Sequence, residues 1–103
     1  MAENLEVHTV RRGVAIVANL LRVVGLVIVA VLVVFILLTV FGANPENAFA
    51  VFIKSAADTF SLGLSNLFLL KDPKLAVGVN YGIAAVVWLF ITSVVVGLVR
   101  RVR

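Results

Sequence analysis

The sequence contains no cysteine and little charge. Without cysteine, the chain has no disulfide framework, no thiol chemistry and no cysteine-based metal site. Charged residues make up 14% of the 103 residues and hydrophobic residues make up 63%, a balance far outside the range of soluble domains. The composition predicts an integral membrane protein. So short a chain has room for two membrane-spanning helices and one connection, in a single membrane domain over residues 1–103.

The residue types that carry most enzyme chemistry are also scarce. His8 is the single histidine, and one histidine beside two glutamates of the same segment is too few ligands for a metal site. The long apolar runs contain no carboxylate, which argues against a proton-carrying pair of spans of the rotary-ATPase type. No nucleophile is paired with a base, and no glycine-rich loop fits a phosphate. We therefore expect no enzyme activity, no catalytic or metal-binding residue and no cofactor.

Residues 23–41 form the first uninterrupted apolar run. Its 19 residues span roughly 28 Å as a helix, which is nearly the thickness of the hydrocarbon core. Arg22 precedes the run, and we expect it at the membrane boundary because an arginine at mid-bilayer costs roughly 3 kcal/mol. Residues 14–21 are also apolar and lack proline. The sequence thus predicts a cytoplasmic N-terminal segment at 1–13 and a first helix at 14–41, with its membrane part at 23–41.

The second span is predicted at 75–99, a charge-free run of 25 residues that ends in a basic cytoplasmic tail at 100–103. Trp88 lies well inside this run, which favours a packing role, whereas Tyr81 suits the far membrane interface.

The positive charges indicate the orientation. All six arginines flank the outer ends of the two runs, whereas three lysines and three acidic residues cancel in the connection. The positive-inside rule then places both termini in the cytoplasm. The richness in valine, alanine and arginine suggests a bacterial protein, which we expect in the inner membrane. The net charge of +4 is explained by topology and attraction to anionic lipids, so we expect no nucleic-acid partner. The arginines assigned to topology and lipid attraction are Arg12, Arg100, Arg101 and Arg103.

One narrow face of the first helix is small and polar at 100° per residue. This docking stripe fits two interpretations: contact with lipid phosphates, or docking of another subunit or an anionic partner. Its residues are Arg11, Ala15, Ala18, Asn19 and Arg22, and Gly25 continues the face.

The connection at 42–74 is too long and too hydrophobic for a simple tether. Gly42 indicates a helix stop, and Asn44 followed by Pro45 indicates a helix N-cap and first helical position. Residues 45–60 are predicted to form an amphipathic interfacial helix, lying at the outer membrane surface or re-entering the membrane. The apolar collar of this helix consists of Phe49, Phe52, Ile53 and Phe60.

The second span carries a face of small residues, which permits close helix packing. Two alternatives stay open for this face: packing onto the first span near Gly25 or Ala30, or an oligomer interface. The residues assigned to helix packing or an oligomer interface are Gly25, Gly78, Gly82, Ala85, Ser93 and Gly97.

The stretches FGANP, at the end of the first span, and VNYGIAAVVWLF, in the second, resemble one repeat of the YggT family of small bacterial membrane proteins. Asn44 and Pro45 match the NP of that family. Asn80 and Tyr81 occupy the place of its usual Asp and Ser, and its proline- and arginine-rich stretch is missing. The resemblance covers residues 23–99 and implies a scaffolding or osmotic-stress role in the bacterial envelope.

The fold class we predict is an all-α membrane protein, a two-span transmembrane helical hairpin with an interfacial helix. The leading functional hypothesis is a non-catalytic accessory or scaffolding subunit in or beside a larger inner-membrane complex. One alternative is a self-assembling pore, either holin-like or a pore-loop channel, although the SLGLS stretch at 61–65 does not match the TVGYG filter. Another is a membrane-surface adaptor that uses its arginine-rich ends. The expected partners are the lipid bilayer, anionic lipids and other membrane subunits or further copies of the chain.

Overall fold

A computed structural model describes residues 2–101, apart from the side chains of residues 2–5 and 8. Three helices make up the regular structure of these residues: α1 at Ala2–Val40, α2 at Ala48–Thr59 and α3 at Pro73–Arg101. The described part of the chain contains no strand, so the prediction of an all-helical fold is confirmed.

Helices α1 and α3 pack against each other in opposite directions. Gly25 of α1 lies beside Thr92 of α3, and Phe35 meets Tyr81 edge-on with ring centroids 4.8 Å apart. The two helices are therefore antiparallel. The buried positions of α1 follow one another at intervals of seven, three and four residues, as expected for one packed face of a helix; they are Ala18, Gly25, Ile28 and Leu32.

Both long helices have the length and composition to cross a membrane, over Thr9–Val40 and Pro73–Arg101. Only 17% of the most apolar stretch of each helix is buried within the chain. A core helix of a soluble protein would bury most of such a stretch, because exposed apolar surface in water is unfavourable. The two helices thus present most of their apolar side chains outward.

Helix α1 is longer than the predicted 14–41. It begins at Ala2 because residues 2–13 contain good helix formers and no proline, with only Gly13 to weaken them. The helix ends in a Schellman motif at Gly42, whose φ is 71°. There the Gly42 N–H donates to the Thr39 carbonyl at 3.2 Å and the Ala43 N–H to the Leu38 carbonyl at 2.8 Å.

Helix α2 begins later than the sequence indicated. We expected Asn44 as its N-cap, but the cap is Asn47, whose Oδ1 accepts from the Phe49 N–H at 2.9 Å. Asn44 instead stabilises a turn, where its Oδ1 accepts from the Glu46 N–H at 3.0 Å. Both asparagines fit the preference for an amide oxygen before a helix. Pro45 therefore lies in the preceding turn and not at the first helical position.

The core forms where all three helices meet. Leu32 of α1, Ala57 of α2 and Ala84 of α3 are fully buried there, and Tyr81 and Ala85 are nearly so. Tyr81 is a core residue whose ring meets Phe35 of α1. Its expected position at the depth of a membrane interface stays a prediction.

The segment between α2 and α3 folds back on itself. The Leu64 N–H donates to the Ser61 carbonyl at 3.0 Å, and the two central residues, Leu62 and Gly63, both have positive φ. These are the features of a type I′ turn. The apolar residues that follow point outward, and Leu69 is 87% exposed.

Candidate functional site

The small residues of the two long helices have different surroundings. At Gly25 the helices nearly touch, since an added Cβ would lie 2.1 Å from Thr92 Oγ1. Within the described residues, no heavy atom from outside their own helical neighbourhood lies within 4 Å of a Cβ placed at Gly78, Gly82 or Gly97. Ala85 is buried in the core, and Ala30 is exposed. Of the predicted packing residues, Gly25 and Ala85 therefore join the helices, whereas a side chain placed at Gly78 or Gly82 would enter open space.

Helix α3 covers part of the docking stripe predicted on α1 and leaves the rest exposed. Ala18 is fully buried, and Gly25 is buried as well. Arg11, Ala15, Asn19 and Arg22 are exposed along one flank of this contact. The polar members of the stripe therefore remain accessible, while its central small residues form the helix contact.

A basic cleft of about 320 Å³ lies between α1 and α3 near the end that carries the termini. Arg22 of α1 and Arg100 of α3 both line it, together with Ser93. The lining residues, all from the described part of the chain, include no carboxylate. The complete lining is Arg22, Leu26, Leu89, Thr92, Ser93, Val96, Gly97 and Arg100.

A second cleft of about 360 Å³ lies next to the basic cleft, and Arg100 lines both. Its other lining residues belong to α1 and include three members of the docking stripe, namely Arg11, Ala15 and Asn19. The structure therefore brings Arg100, predicted as a topology and lipid-attracting residue, next to the stripe on the other helix. The sequence does not reveal this, because it depends on the register between α1 and α3.

The open glycines of α3 continue the line of the basic cleft. Steps of three and four residues keep side chains on one helix face. Such steps lead from Gly78 through Gly82, Ala85 and Leu89 to Ser93, and then to Arg100 by way of Val96. Leu89, Ser93, Val96 and Arg100 line the cleft. We call this row the α3 stripe, and its small residues lie towards the connection while its arginine lies towards the termini.

Asn80 fastens the connection to α3. Its side chain is 2% exposed, and its Nδ2 donates to the carbonyls of Ser65 at 2.9 Å and Phe68 at 3.0 Å. Its Oδ1 accepts from the Phe68 N–H at 2.9 Å. This amide clamp pairs with three backbone groups of Ser65 and Phe68 and so holds residues 65–68 to α3.

Two further hydrogen bonds hold α2 against α3. The Tyr81 hydroxyl donates to Asp58 Oδ1 at 2.5 Å. The Trp88 Nε1–H donates to the Phe60 carbonyl at 2.7 Å, and the two rings meet edge-on at 5.9 Å. Trp88 therefore packs inside the chain, as its position in the apolar run indicated. Tyr81 and Trp88 together fix the end of α2 on α3.

The apolar collar predicted for α2 separates into two groups. Ile53 is buried, and Phe60 packs against the core. Phe49 and Phe52 are 56% and 66% exposed and point away from the other helices. The collar therefore offers two aromatic side chains to its surroundings.

The most informative residue that sequence reasoning missed as a site is Asn80. A lone asparagine inside a long apolar run signals a polar group that needs a partner, and this signal is present in the sequence. Its partners are backbone groups of the connection, which no residue type indicates. Arg12 and Arg101 are exposed at the end of the chain that carries the clefts, whereas Arg103 and the side chain of His8 lie outside the described residues.

Comparison of this chain with models of protein families, with curated proteins and with solved structures gave no match. The resemblance to the YggT repeat therefore stays a prediction that rests on the residues quoted for it.

Proposed function

We propose that this chain is a non-catalytic accessory or scaffolding subunit of a larger bacterial inner-membrane complex. In this proposal α1 and α3 cross the membrane as a two-span hairpin, with both termini in the cytoplasm. The proposal rests chiefly on the α3 stripe, whose glycines are not used within the chain. Gly78 and Gly82 leave backbone surface open to a neighbouring helix, which is how small residues promote association in a bilayer.

The exposed apolar surface supports the membrane part of this proposal. Among the described residues, apolar side chains are exposed along both long helices, for example Val24 and Leu26 of α1 and Phe90 of α3. In water so large an apolar surface would drive aggregation, whereas lipid or another membrane helix covers it without penalty.

The end of the molecule formed by α2 and the connection supports an interfacial position for α2. Phe49 and Phe52 are exposed on α2, and Phe68 and Leu69 are exposed in the connection. Charged side chains lie at the same end, including Lys54 and Lys71. Apolar and charged groups occur together where a segment lies in the headgroup region, so we place α2 at the outer membrane surface.

A pore-loop channel is the less favoured alternative. Such a filter needs a row of backbone carbonyls that are free to coordinate ions. In this chain the carbonyls of Ser65 and Phe68 accept from Asn80, and the Ser61 carbonyl accepts from Leu64. These carbonyls serve the fold of the connection.

The adaptor alternative relies on the exposed Arg12 and Arg101, and the charge of these side chains is accounted for by topology.

The test is the native mass of the protein, extracted in a mild detergent from its own membranes at its natural expression level. We expect the chain to migrate in a large assembly, with defined partners identified by mass spectrometry. Gly82→Leu fills the open surface of the α3 stripe and should release the chain from that assembly. Ala30→Leu is the matched control, because Ala30 is exposed on α1 and away from the stripe.

A lone chain, or an assembly that contains only copies of it, would overturn the accessory-subunit proposal. Equal release by Gly82→Leu and Ala30→Leu would show that the association does not depend on the α3 stripe.

A further inference from the structure

We propose that the basic cleft between α1 and α3 binds the phosphate headgroup of an anionic glycerophospholipid, with Arg22 and Arg100 as its ligands. This inference requires the chain to lie in a membrane and requires no partner protein, so it stands apart from the proposed subunit role.

The first argument is the convergence of two cations from different helices. Arg22 and Arg100 are 78 positions apart in the sequence, and both line one cleft of about 320 Å³. An anion placed in the cleft is attracted by both guanidinium groups at once. Arginine binds phosphate through a planar fork of donors, and the Ser93 hydroxyl in the same cleft supplies one more donor.

The second argument is the order of side chains along the cleft. Leu26 and Leu89 line it with Arg22 and Arg100. Leu89 lies 11 residues before Arg100 on α3, which corresponds to about 16 Å along the helix. The cleft therefore changes from apolar to basic towards the membrane surface. A lipid has the same order, with acyl chains inside and a phosphate at the surface. A soluble anion has no apolar part that would contact the leucines.

The third argument is the depth of Arg22. Gly25 lies beside Thr92, Arg22 is three residues before Gly25, and Arg100 is eight residues after Thr92. At 1.5 Å per residue, Arg22 therefore lies about 8 Å further than Arg100 from the end of the helix pair that carries the termini. If Arg100 lies at the headgroup level, Arg22 lies deeper than the boundary position expected from the apolar run, and a charged side chain there is unfavourable unless it meets an anionic group or water. A lipid phosphate drawn into the cleft meets this requirement for Arg22.

The test is native mass spectrometry of the purified full-length chain in detergent, with added phosphatidylglycerol or with phosphatidylcholine of the same acyl chains. We expect one tightly bound phosphatidylglycerol and a clear preference for it over phosphatidylcholine. Arg22→Gln and Arg100→Gln should each weaken that binding about fivefold, as expected for loss of one arginine near a phosphate. Arg22→Lys should restore part of the binding, since it keeps the charge but loses the planar fork.

The matched controls are Arg12→Gln and Arg101→Gln. These arginines are exposed at the same end of the helices and do not belong to the cleft lining. We expect both controls to bind phosphatidylglycerol as the unmodified chain does. Circular dichroism of every variant checks that the helices are intact, and Arg22→Lys gives a second reading if either glutamine variant fails to fold.

Three results would overturn the proposal. Equal binding of the two lipids would mean that the cleft does not recognise an anionic headgroup. Equal weakening by Arg12→Gln and Arg101→Gln would mean that lipid is attracted by diffuse charge and not by the cleft. Displacement of the lipid by inorganic phosphate would mean that the cleft is a site for a free anion.

Discussion

Gly25 and Thr92 meet at a close approach of α1 and α3. A Cβ added to Gly25 would lie 2.1 Å from Thr92 Oγ1 and 2.8 Å from Thr92 Cβ. Rotation of the threonine side chain moves Oγ1 but leaves Cβ in place. Any side chain at position 25 therefore forces the two helix backbones apart.

We predict that Gly25→Ala destabilises the helix pair by about 1–3 kcal/mol, the usual cost of overpacking. Unfolding of the purified protein in mixed detergent measures this change. Thr92→Gly should suppress it by removing the opposing Cβ. Gly13→Ala is the control, because the described residues leave open space around Gly13, and it should be neutral or slightly stabilising. Equal stability of Gly25→Ala and the unmodified chain would contradict this packing.

Replacement of Asn80 tests the amide clamp. Asn80→Leu removes three hydrogen bonds to residues 65–68, leaves their backbone groups without partners, and should cost roughly 2–4 kcal/mol. Hydrogen exchange at the Phe68 amide should become much faster. The control is Asn66→Leu, since Asn66 is exposed in the same segment. Unchanged exchange at Phe68 in Asn80→Leu would mean that the clamp does not hold the connection.

The hydrogen bond between Tyr81 and Asp58 predicts a coupling between α2 and α3. Tyr81→Phe keeps the ring against Phe35 and removes only the hydroxyl, and Asp58→Ala removes the acceptor. In a double-mutant cycle the two changes should be coupled by about 1–2 kcal/mol. Additive effects of the two substitutions on the unfolding free energy would show that this bond contributes nothing.

The open surface at Gly82 predicts a separation between stability and association. Gly82→Leu should leave the unfolding free energy of the isolated chain unchanged or slightly higher, because it meets open space among the described residues and leucine favours a helix. Unfolding in detergent measures this for Gly82→Leu beside Gly25→Ala, which should be clearly destabilised. A large loss of stability in Gly82→Leu would indicate that the residue packs within the chain.

The two long helices could be predicted from the sequence, because each apolar run is long enough to cross a membrane as a helix. It did not reveal which glycine joins them. Gly78 and Gly82 form a conspicuous spaced pair, but the contact occurs at the isolated Gly25, since the crossing point depends on the register of two whole helices. The same register brings Arg22 and Arg100, which are distant in the sequence, to one cleft.

The connection was harder to predict for a different reason. Asn44 and Asn47 both have the chemistry of an N-cap, and local pattern alone favoured Asn44 because Pro45 follows it. In the folded chain Asn44 closes a turn and Asn47 caps α2. The partners of Asn80 are backbone groups, so its role depends on where the chain folds back and not on side-chain type.

Membrane topology tests the central claim most directly. Because the chain contains no cysteine, only an introduced thiol can react with a thiol reagent. Glu6→Cys, Lys71→Cys and Arg101→Cys each introduce one thiol, for reaction with a membrane-impermeant maleimide in intact cells. The proposed two-span hairpin predicts labelling at position 71 alone, with positions 6 and 101 labelled only after the membrane is opened. Labelling of position 6 or 101 in intact cells, or protection of position 71, would contradict it.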